Sequence, residues 1–186
     1  MGRLVYSAIA SLDGYIADAD GKWDWSFPST EVHAFVNDLM RPARTHLYGR
    51  RLYEVLVAWE TMDDPAPEMR DYAELWRAAE KIVYSRTLDD VTTSRTRLAR
   101  EFDPDEVRAL KETAATDIAI GGAELAGEAL RAGLVDELRL LLSPVVVGGG
   151  KRALPDGARA HLELLDERRF GNGVVYLRYA CSTGHQ

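Results

Sequence analysis

Short apolar runs alternate with amphipathic stripes along most of the chain, which is typical of an α/β protein. The run at residues 3–11 is apolar enough for a strand buried on both faces, and Asp13-Gly14 supplies a turn after it. An apolar stripe at helical spacing follows, at Val32, Phe35, Val36, Leu39 and Met40. Ser29 or Thr30 is available as the N-cap of this predicted helix. Further strands are predicted at 45–48, 81–85, 96–99, 117–120 and 137–142, and further helices at 68–80, 103–114 and 123–131.

Turn and cap residues mark the ends of several of these elements. Asp103 is a predicted helix cap, since Pro104 follows at the first turn and Glu106 stands three residues beyond the cap. Asn172-Gly173 separates two apolar segments, 162–165 and 173–179, which predicts an antiparallel pair at the edge of a sheet. Elsewhere strands alternate with helices, so we predict a single domain spanning 1–186, with a mainly parallel sheet covered by helices on both faces.

Composition and charge restrict the class of protein. With 46% hydrophobic and 28% charged residues, the chain has the composition of a soluble globular protein, and its net charge of -7 argues against nucleic-acid binding. No run approaches the roughly 18 apolar residues of a membrane span, and the first residues lack the pattern of a secretory signal. We therefore expect a cytoplasmic protein that binds neither nucleic acid nor a membrane. The four histidines show no metal-ligand spacing and the single cysteine cannot complete a zinc site, so no metal is predicted.

A glycine pair suggests a phosphate cradle. Gly121 and Gly122 lie between a predicted strand and a predicted helix that begins with Ala123 and Glu124. Residues without a Cβ let the backbone approach a ligand closely, and a helix start offers unpaired amides and partial positive charge to an anion. The alternative is an ordinary tight turn, and the pair is not the dinucleotide-binding G-x-G-x-x-G motif.

Arginines and hydroxyls follow two other predicted strands. Arg50 and Arg51 come directly after Gly49, and Ser85-Arg86-Thr87 follows the next strand. In open parallel sheets ligands bind beyond the carboxyl ends of the strands, so these loops could hold the phosphate of a phosphorylated ribose together. The alternative is a set of solvated surface arginines.

The substrate side is less clearly marked. Glu31 lies in the first turn of the first helix, four residues before Phe35, so a carboxylate and a ring share one helix edge. A carboxylate there could hydrogen-bond a heterocycle, although acids are favoured in a first turn by the helix dipole alone. Asp13 and Asp24 are rival acids, and Glu31, or failing that Asp13, is expected to anchor the substrate or relay a proton. Trp23 is expected to contribute to a water-poor wall beside the substrate.

Six motifs in order resemble the dihydrofolate reductase-like superfamily, specifically proteins similar to the reductase domain of the bifunctional riboflavin-biosynthesis deaminase-reductase. They are SLDGYIA at 11–17, LYGRRLYE at 47–54, VYSRTL at 83–88, IAIGGAEL at 118–125, VDELRL at 135–140 and PVVVGGGK at 144–151. None is specific alone, and together they cover nearly the whole chain.

The resemblance implies a three-layer α/β/α fold with an eight-stranded mixed sheet, NADPH as hydride donor, and a homodimer. Gly49-Arg50 matches the pair that starts a helix near the 2′-phosphate of the cofactor, and Ser85-Arg86-Thr87 matches the adenosine-ribose loop. Gly121-Gly122 matches the glycine pair at the pyrophosphate. Glu31 with Phe35 resembles the acid and aromatic residue that hold the pterin in folate reductases.

Two departures leave the substrate open. The riboflavin reductase domain carries a T-x-x-x-D-x-P-x-L-x-x-R stretch that contacts the phosphate of a ribosylaminopyrimidine, where this chain has LYEVL at 52–56. A folate reductase has a proline-tryptophan pair where this chain has GKWDW at 21–25. The leading hypothesis is an NADPH-dependent reductase of a small heterocycle, resembling 5-amino-6-(5-phosphoribosylamino)uracil reductase. The alternatives are a dihydrofolate reductase and a nucleotide-binding dimer without catalysis.

Overall fold

A mixed sheet runs through the middle of the molecule. The computed structural model describes residues 1–182, which contain ten strands: β1 (Leu4–Ser11), β2 (Tyr15–Ala17), β3 (Ala43–Gly49), β4 (Glu80–Tyr84), β5 (Thr96–Ala99), β6 (Asp117–Gly121), β7 (Glu137–Ser143), β8 (Lys151–Arg152), β9 (His161–Arg169) and β10 (Val175–Ser182). Eight of them form one sheet in the order β5-β4-β3-β6-β1-β7-β10-β9. The first six in that order are parallel, while β10 runs antiparallel to both β7 and β9. The predicted mostly parallel sheet with an antiparallel C-terminal edge is confirmed.

Helices cover both faces of this sheet. Within the described residues these are α1 (Thr30–Met40), α2 (Arg50–Leu56), α3 (Pro67–Ala78), α4 (Pro104–Thr113) and α5 (Ala123–Arg131), with short 3-10 helices at Asp24–Ser26 and Val57–Glu60. On one face, α4 and α5 bury Val107, Ala126 and Leu130 against the sheet. On the other face, α1 packs through Val32 and α3 through Trp76. The result is the predicted three-layer α/β/α fold, held by apolar burial on both sides.

The predicted helix caps are present. The side chain of Ser29 accepts a hydrogen bond from the Val32 amide at 3.4 Å, which selects Ser29 rather than Thr30 as the cap of α1. Asp103 accepts from the Asp105 amide at 2.8 Å and begins α4. Each cap satisfies a helix amide that would otherwise lack a partner, so the helix starts were readable from local chemistry.

A two-stranded sheet formed by β2 and β8 was not predicted. These strands have three and two residues, too few to show a hydrophobic period. Gly150, with φ of +128°, precedes β8, and a Cβ there would lie 2.1 Å from the Ala17 carbonyl oxygen. Only glycine therefore allows the loop after β7 to lie against the end of β2.

A charged cluster is built into β7 and its neighbours. Glu137 is 2% exposed and accepts hydrogen bonds from the guanidinium groups of Arg3, Arg139 and Arg178 at 2.6 to 2.9 Å. Burial alone would raise the pKa of Glu137, but the hydrogen bonds and charges of Arg178 and Arg139 hold that pKa below its ordinary value. Glu137 is therefore ionised at neutral pH and compensates buried positive charge.

No helix among residues 1–182 is long and apolar enough to cross a bilayer. The same residues contain no group of three or more His, Cys, Asp and Glu side chains arranged to hold a metal ion.

Candidate active site

The sheet opens beside the carboxyl half of β1. Pairing of β1 with β6 ends at Tyr6 and Ile120, whereas pairing of β1 with β7 continues to Ser11 and Ser143. A cavity of about 1650 Å³ lies in this opening and extends to the ends of β3, β4 and β6. It is lined at one end by charged loops and at the other by aromatic side chains. This is the place where open α/β sheets bind ligands.

Two glycine loops meet at the charged end. Gly122 has φ of +92°, which side chains other than glycine rarely adopt, and a Cβ there would lie 3.7 Å from the Gly49 nitrogen. Gly121 lies behind it, where a Cβ would come within 2.5 Å of the Leu52 side chain, and it does not line the cavity. The cavity wall here is thus backbone rather than side chain, as a closely approached phosphate requires.

The start of α5 faces this corner. Gly122 is its N-cap and offers no side-chain cap, while Ala123 and Glu124 line the cavity. The Glu124 carboxylate pairs with Lys151 at 2.9 Å, which lowers the pKa of Glu124 through that hydrogen bond and its charge. Because α5 has no side-chain cap, its first-turn amides remain available to an anion.

The two loops that carry arginines lie in contact with each other. Arg50 donates to the Thr87 hydroxyl at 2.6 Å and to Glu54 at 2.7 Å, which joins the start of α2 to the loop after β4. Ser85 accepts hydrogen bonds from the amides of Thr87 and Leu88 and so shapes that loop. The remaining cations that line this end of the cavity are Arg51, Arg86, Arg100 and Lys151.

Arg100 was missed by the sequence analysis. Its guanidinium donates to the carbonyl oxygens of Ser85, Leu88 and Asp89, at distances of 2.6 to 3.4 Å. It therefore fixes the 85–89 loop from the end of β5, an arrangement that depends on two strands being neighbours and leaves no local pattern in the sequence.

The other end of the cavity is aromatic. Trp59 and Tyr72 lie with ring centroids 4.6 Å apart, and the His33 ring stands edge-on to Tyr72 at 5.8 Å. Trp23 packs against Phe27 with ring centroids 5.1 Å apart and lines the cavity. Desolvation raises the pKa of Tyr72 to about 12, so its hydroxyl keeps its proton at neutral pH. Nδ1 of His33 is buried with no partner among the described residues, and His33 lines the cavity.

The structure does not bring Glu31 or Phe35 to the cavity wall. The Glu31 carboxylate pairs with Arg168 of β9 at 3.1 Å, and the Phe35 ring packs against Phe170 and Tyr176 at 5.1 and 4.8 Å. His33 lines the cavity instead. Two residues along an α-helix correspond to a rotation of about 200°, so Glu31 and His33 face nearly opposite directions. Helix orientation decides which of them meets the cavity, and the sequence does not specify it.

Asp13 also lies outside the cavity lining. Its carboxylate accepts hydrogen bonds from the amides of Val147 at 3.2 Å and Gly148 at 2.8 Å. Hydrogen bonds from Ser11 and those amides lower the pKa of Asp13. In this position Asp13 fastens the 147–150 loop to the turn after β1. The catalytic roles of Asp13 and Glu31 stay predictions.

Comparison with known proteins gives a consistent result. A sequence model of the RibD C-terminal domain family matches residues 3–176. The uncharacterised protein YyaP of Bacillus subtilis (strain 168) is 29% identical over 179 residues, which are 95% of this chain and 94% of YyaP. The riboflavin biosynthesis protein RibD of Mycobacterium tuberculosis is 33% identical over 170 residues, 83% of this chain but 45% of RibD, so the chain spans less than half of that relative.

A solved structure confirms the fold. A protein from Shewanella sp. PV-4 named for riboflavin biosynthesis superposes with a TM-score of 0.76 at 21% identity, over 97% of this chain and 99% of that one. At this identity the likeness concerns the architecture.

Proposed function

Because the chain belongs to the RibD C-terminal domain family, a reductase-like family, we propose that it is an NADPH-dependent reductase of a small heterocyclic substrate. The observation that carries the proposal is the meeting of the Gly49 and Gly122 loops with the arginine loops at one end of a single cavity. That end combines exposed backbone amides with arginine guanidinium groups, which fits a dinucleotide bearing an extra phosphate.

Particular residues would hold the cofactor. The first-turn amides of Ala123 and Glu124 suit the pyrophosphate, because the helix dipole favours an anion there. Arg50, held by Thr87, suits the 2′-phosphate, with Arg51 and Arg86 as neighbouring cations. When bound, NADPH supplies a hydride to the substrate.

The open edge of β1 suits the far end of the cofactor. The Ile118 amide donates to the Arg3 carbonyl, so the backbone groups of Arg3 face β6. Because backbone groups alternate in direction along a strand, those of Val5, Ser7 and Ile9 also face the β6 side. Pairing with β6 ends at Tyr6, which leaves the N–H and C=O of Ile9 facing the cavity. A donor and an acceptor side by side can orient the carboxamide of the nicotinamide ring. The protein thus contributes by positioning the cofactor and by excluding water.

Turnover tests this function directly. Purified protein should consume NADPH in the presence of at least one member of a panel of pterins, flavins, aminopyrimidines and dihydrofolate, measured by loss of reduced-nicotinamide absorbance. Dihydrofolate turnover blocked by methotrexate would favour the dihydrofolate reductase alternative. Tight NADPH binding without turnover of any panel member would contradict catalysis and favour the nucleotide-binding alternative.

We also propose that the protein is a homodimer. All nine residues of β9 are exposed, and Leu162 and Leu164 are 45% and 50% exposed. The strand registers pair Leu164 with Tyr179 and Leu162 with Cys181, and the same sheet face carries the partly exposed Leu140, Leu142, Val175 and Leu177. An open edge strand beside an apolar face matches a two-fold interface, since one patch then pairs with itself.

A charge placed on this face should separate the dimer. Leu164→Glu should convert the dimer to a folded monomer, since a carboxylate would be buried without a partner in the interface. Light scattering after gel filtration measures the mass, and Val146→Glu, at an exposed apolar site in the loop after β7, is the control. A monomeric wild-type protein, or a dimeric Leu164→Glu variant, would contradict this interface.

A further inference from the structure

The cations that line the cavity are confined to one end of it. Arg50, Arg51, Arg86, Arg100 and Lys151 come from α2, from the ends of β4 and β5, and from β8. The lining residues from 23–36 and from 55–72 include no lysine and no arginine. A phosphate bound in that second region would lose water without gaining a cation, which is strongly unfavourable.

The end without cations is built for a ring. Trp59, Tyr72 and His33 form one aromatic wall, and Trp23 with Phe27 forms another surface of the same cavity. Met62 and Met69 add flexible apolar side chains that adapt to the shape of a ligand. Aromatic side chains favour flat ligands through stacking and edge-to-face contacts. Each such contact adds to the binding free energy that comes from burying apolar surface.

A polar group is available to orient such a ring. His33 lines this end, and its imidazole has a nitrogen that can bind a ring nitrogen or carbonyl of the ligand. Tyr72 has its hydroxyl protonated at neutral pH, as its raised pKa requires. The groups that would contact a ligand at this end of the cavity are thus neutral aromatic rings and one imidazole.

We propose that the substrate is a flat, neutral heterocycle without a phosphate group, bound between these aromatic side chains with the His33 imidazole on its polar edge. The inference rests on the proposed function, because it places the substrate at the end of the cavity that the cofactor phosphates leave free. It differs from what the family resemblance implies, namely a substrate that carries a ribose phosphate.

Matched pairs of ligands that differ by one phosphate test the proposal. Riboflavin and its phosphate ester, flavin mononucleotide, are titrated separately against the wild-type protein with NADP⁺ present, and flavin fluorescence quenching is measured; hydroxymethylpterin and its phosphate ester form a second pair. We expect the unphosphorylated member of at least one pair to bind, with the phosphate ester binding equally or more weakly. Tighter binding of the phosphate ester by about tenfold or more, or no binding of either pair, would overturn the proposal.

Variants locate the ligand within the cavity. Trp59→Ala should weaken the unphosphorylated ligand about tenfold, and Trp59→Phe should retain most of the affinity. Met69→Arg places a cation at the aromatic end and should shift preference toward the phosphate ester. Unchanged affinity in Trp59→Ala together with unchanged preference in Met69→Arg would place the ligand elsewhere and overturn the proposal.

The cofactor is measured separately in the same proteins. NADPH that binds while the phosphate ester is preferred would overturn the substrate class and leave the proposed function standing. Absence of NADPH binding in a protein that still binds the unphosphorylated ring would instead contradict the proposed function.

Discussion

Replacing Glu137 with glutamine should lower the free energy of unfolding by about 3–5 kcal/mol. The carboxylate is buried and receives hydrogen bonds from Arg3, Arg139 and Arg178, so the variant keeps the shape but leaves buried positive charge without its partner. Denaturant unfolding followed by tryptophan fluorescence gives the difference. Glu112→Gln, at an exposed position of α4 away from the proposed interface, is the matched control and should change stability by less than about 0.5 kcal/mol.

The same variant should flatten the pH dependence of stability. The pKa of Glu137 is lowered in the folded state, so its contribution to stability is present above the unfolded pKa of about 4.3 and is lost as pH falls through the lower folded value. Below about pH 4 the wild-type protein and Glu137→Gln should therefore approach each other in stability. An equal difference at every pH, or no difference at neutral pH, would contradict this role of the cluster.

Replacing Arg50 with alanine should weaken NADPH binding by about 1–3 kcal/mol, roughly 5- to 150-fold. The guanidinium is fixed between Thr87 and Glu54 at the mouth of the glycine cradle, so its loss removes a pre-organised, charge-assisted contact. Isothermal calorimetry or tryptophan fluorescence measures the dissociation constant.

Arg108→Ala provides the control for this measurement. Arg108 is an exposed arginine of α4 that pairs with Asp105 and does not line the cavity, so its removal changes the net charge equally without touching the site. Equal losses of NADPH affinity in both variants would show that the effect comes from overall charge and would exclude Arg50 as the 2′-phosphate ligand.

The elements with strong local signals were predictable. Asp103 and Ser29 cap helices through hydrogen bonds to amides two or three residues away. The β6-α5-β7 unit consists of apolar runs separated by glycines, so its elements are also specified locally in the sequence. The loops at Gly49, Ser85 and Gly122 were predicted to converge because the ends of parallel strands share one edge of a sheet. Their arrangement around one cavity agrees with that rule.

The substrate end could not be predicted in the same way. Whether Glu31 or His33 faces the cavity depends on how α1 rotates over the sheet, and Phe35 is drawn away by Phe170 and Tyr176 of the C-terminal hairpin. Trp59 reaches the site through contact with Tyr72 of α3. These positions are fixed by packing between distant segments, for which a single sequence carries no periodic signal.

The most direct measurement compares NADPH with NADH on the wild-type protein by tryptophan fluorescence titration. If the glycine cradle and the arginine loops hold the cofactor as proposed, NADPH should bind at least about tenfold more tightly than NADH, since only NADPH carries the phosphate that the arginines face. Equal affinities for the two, or binding of neither, would contradict the account.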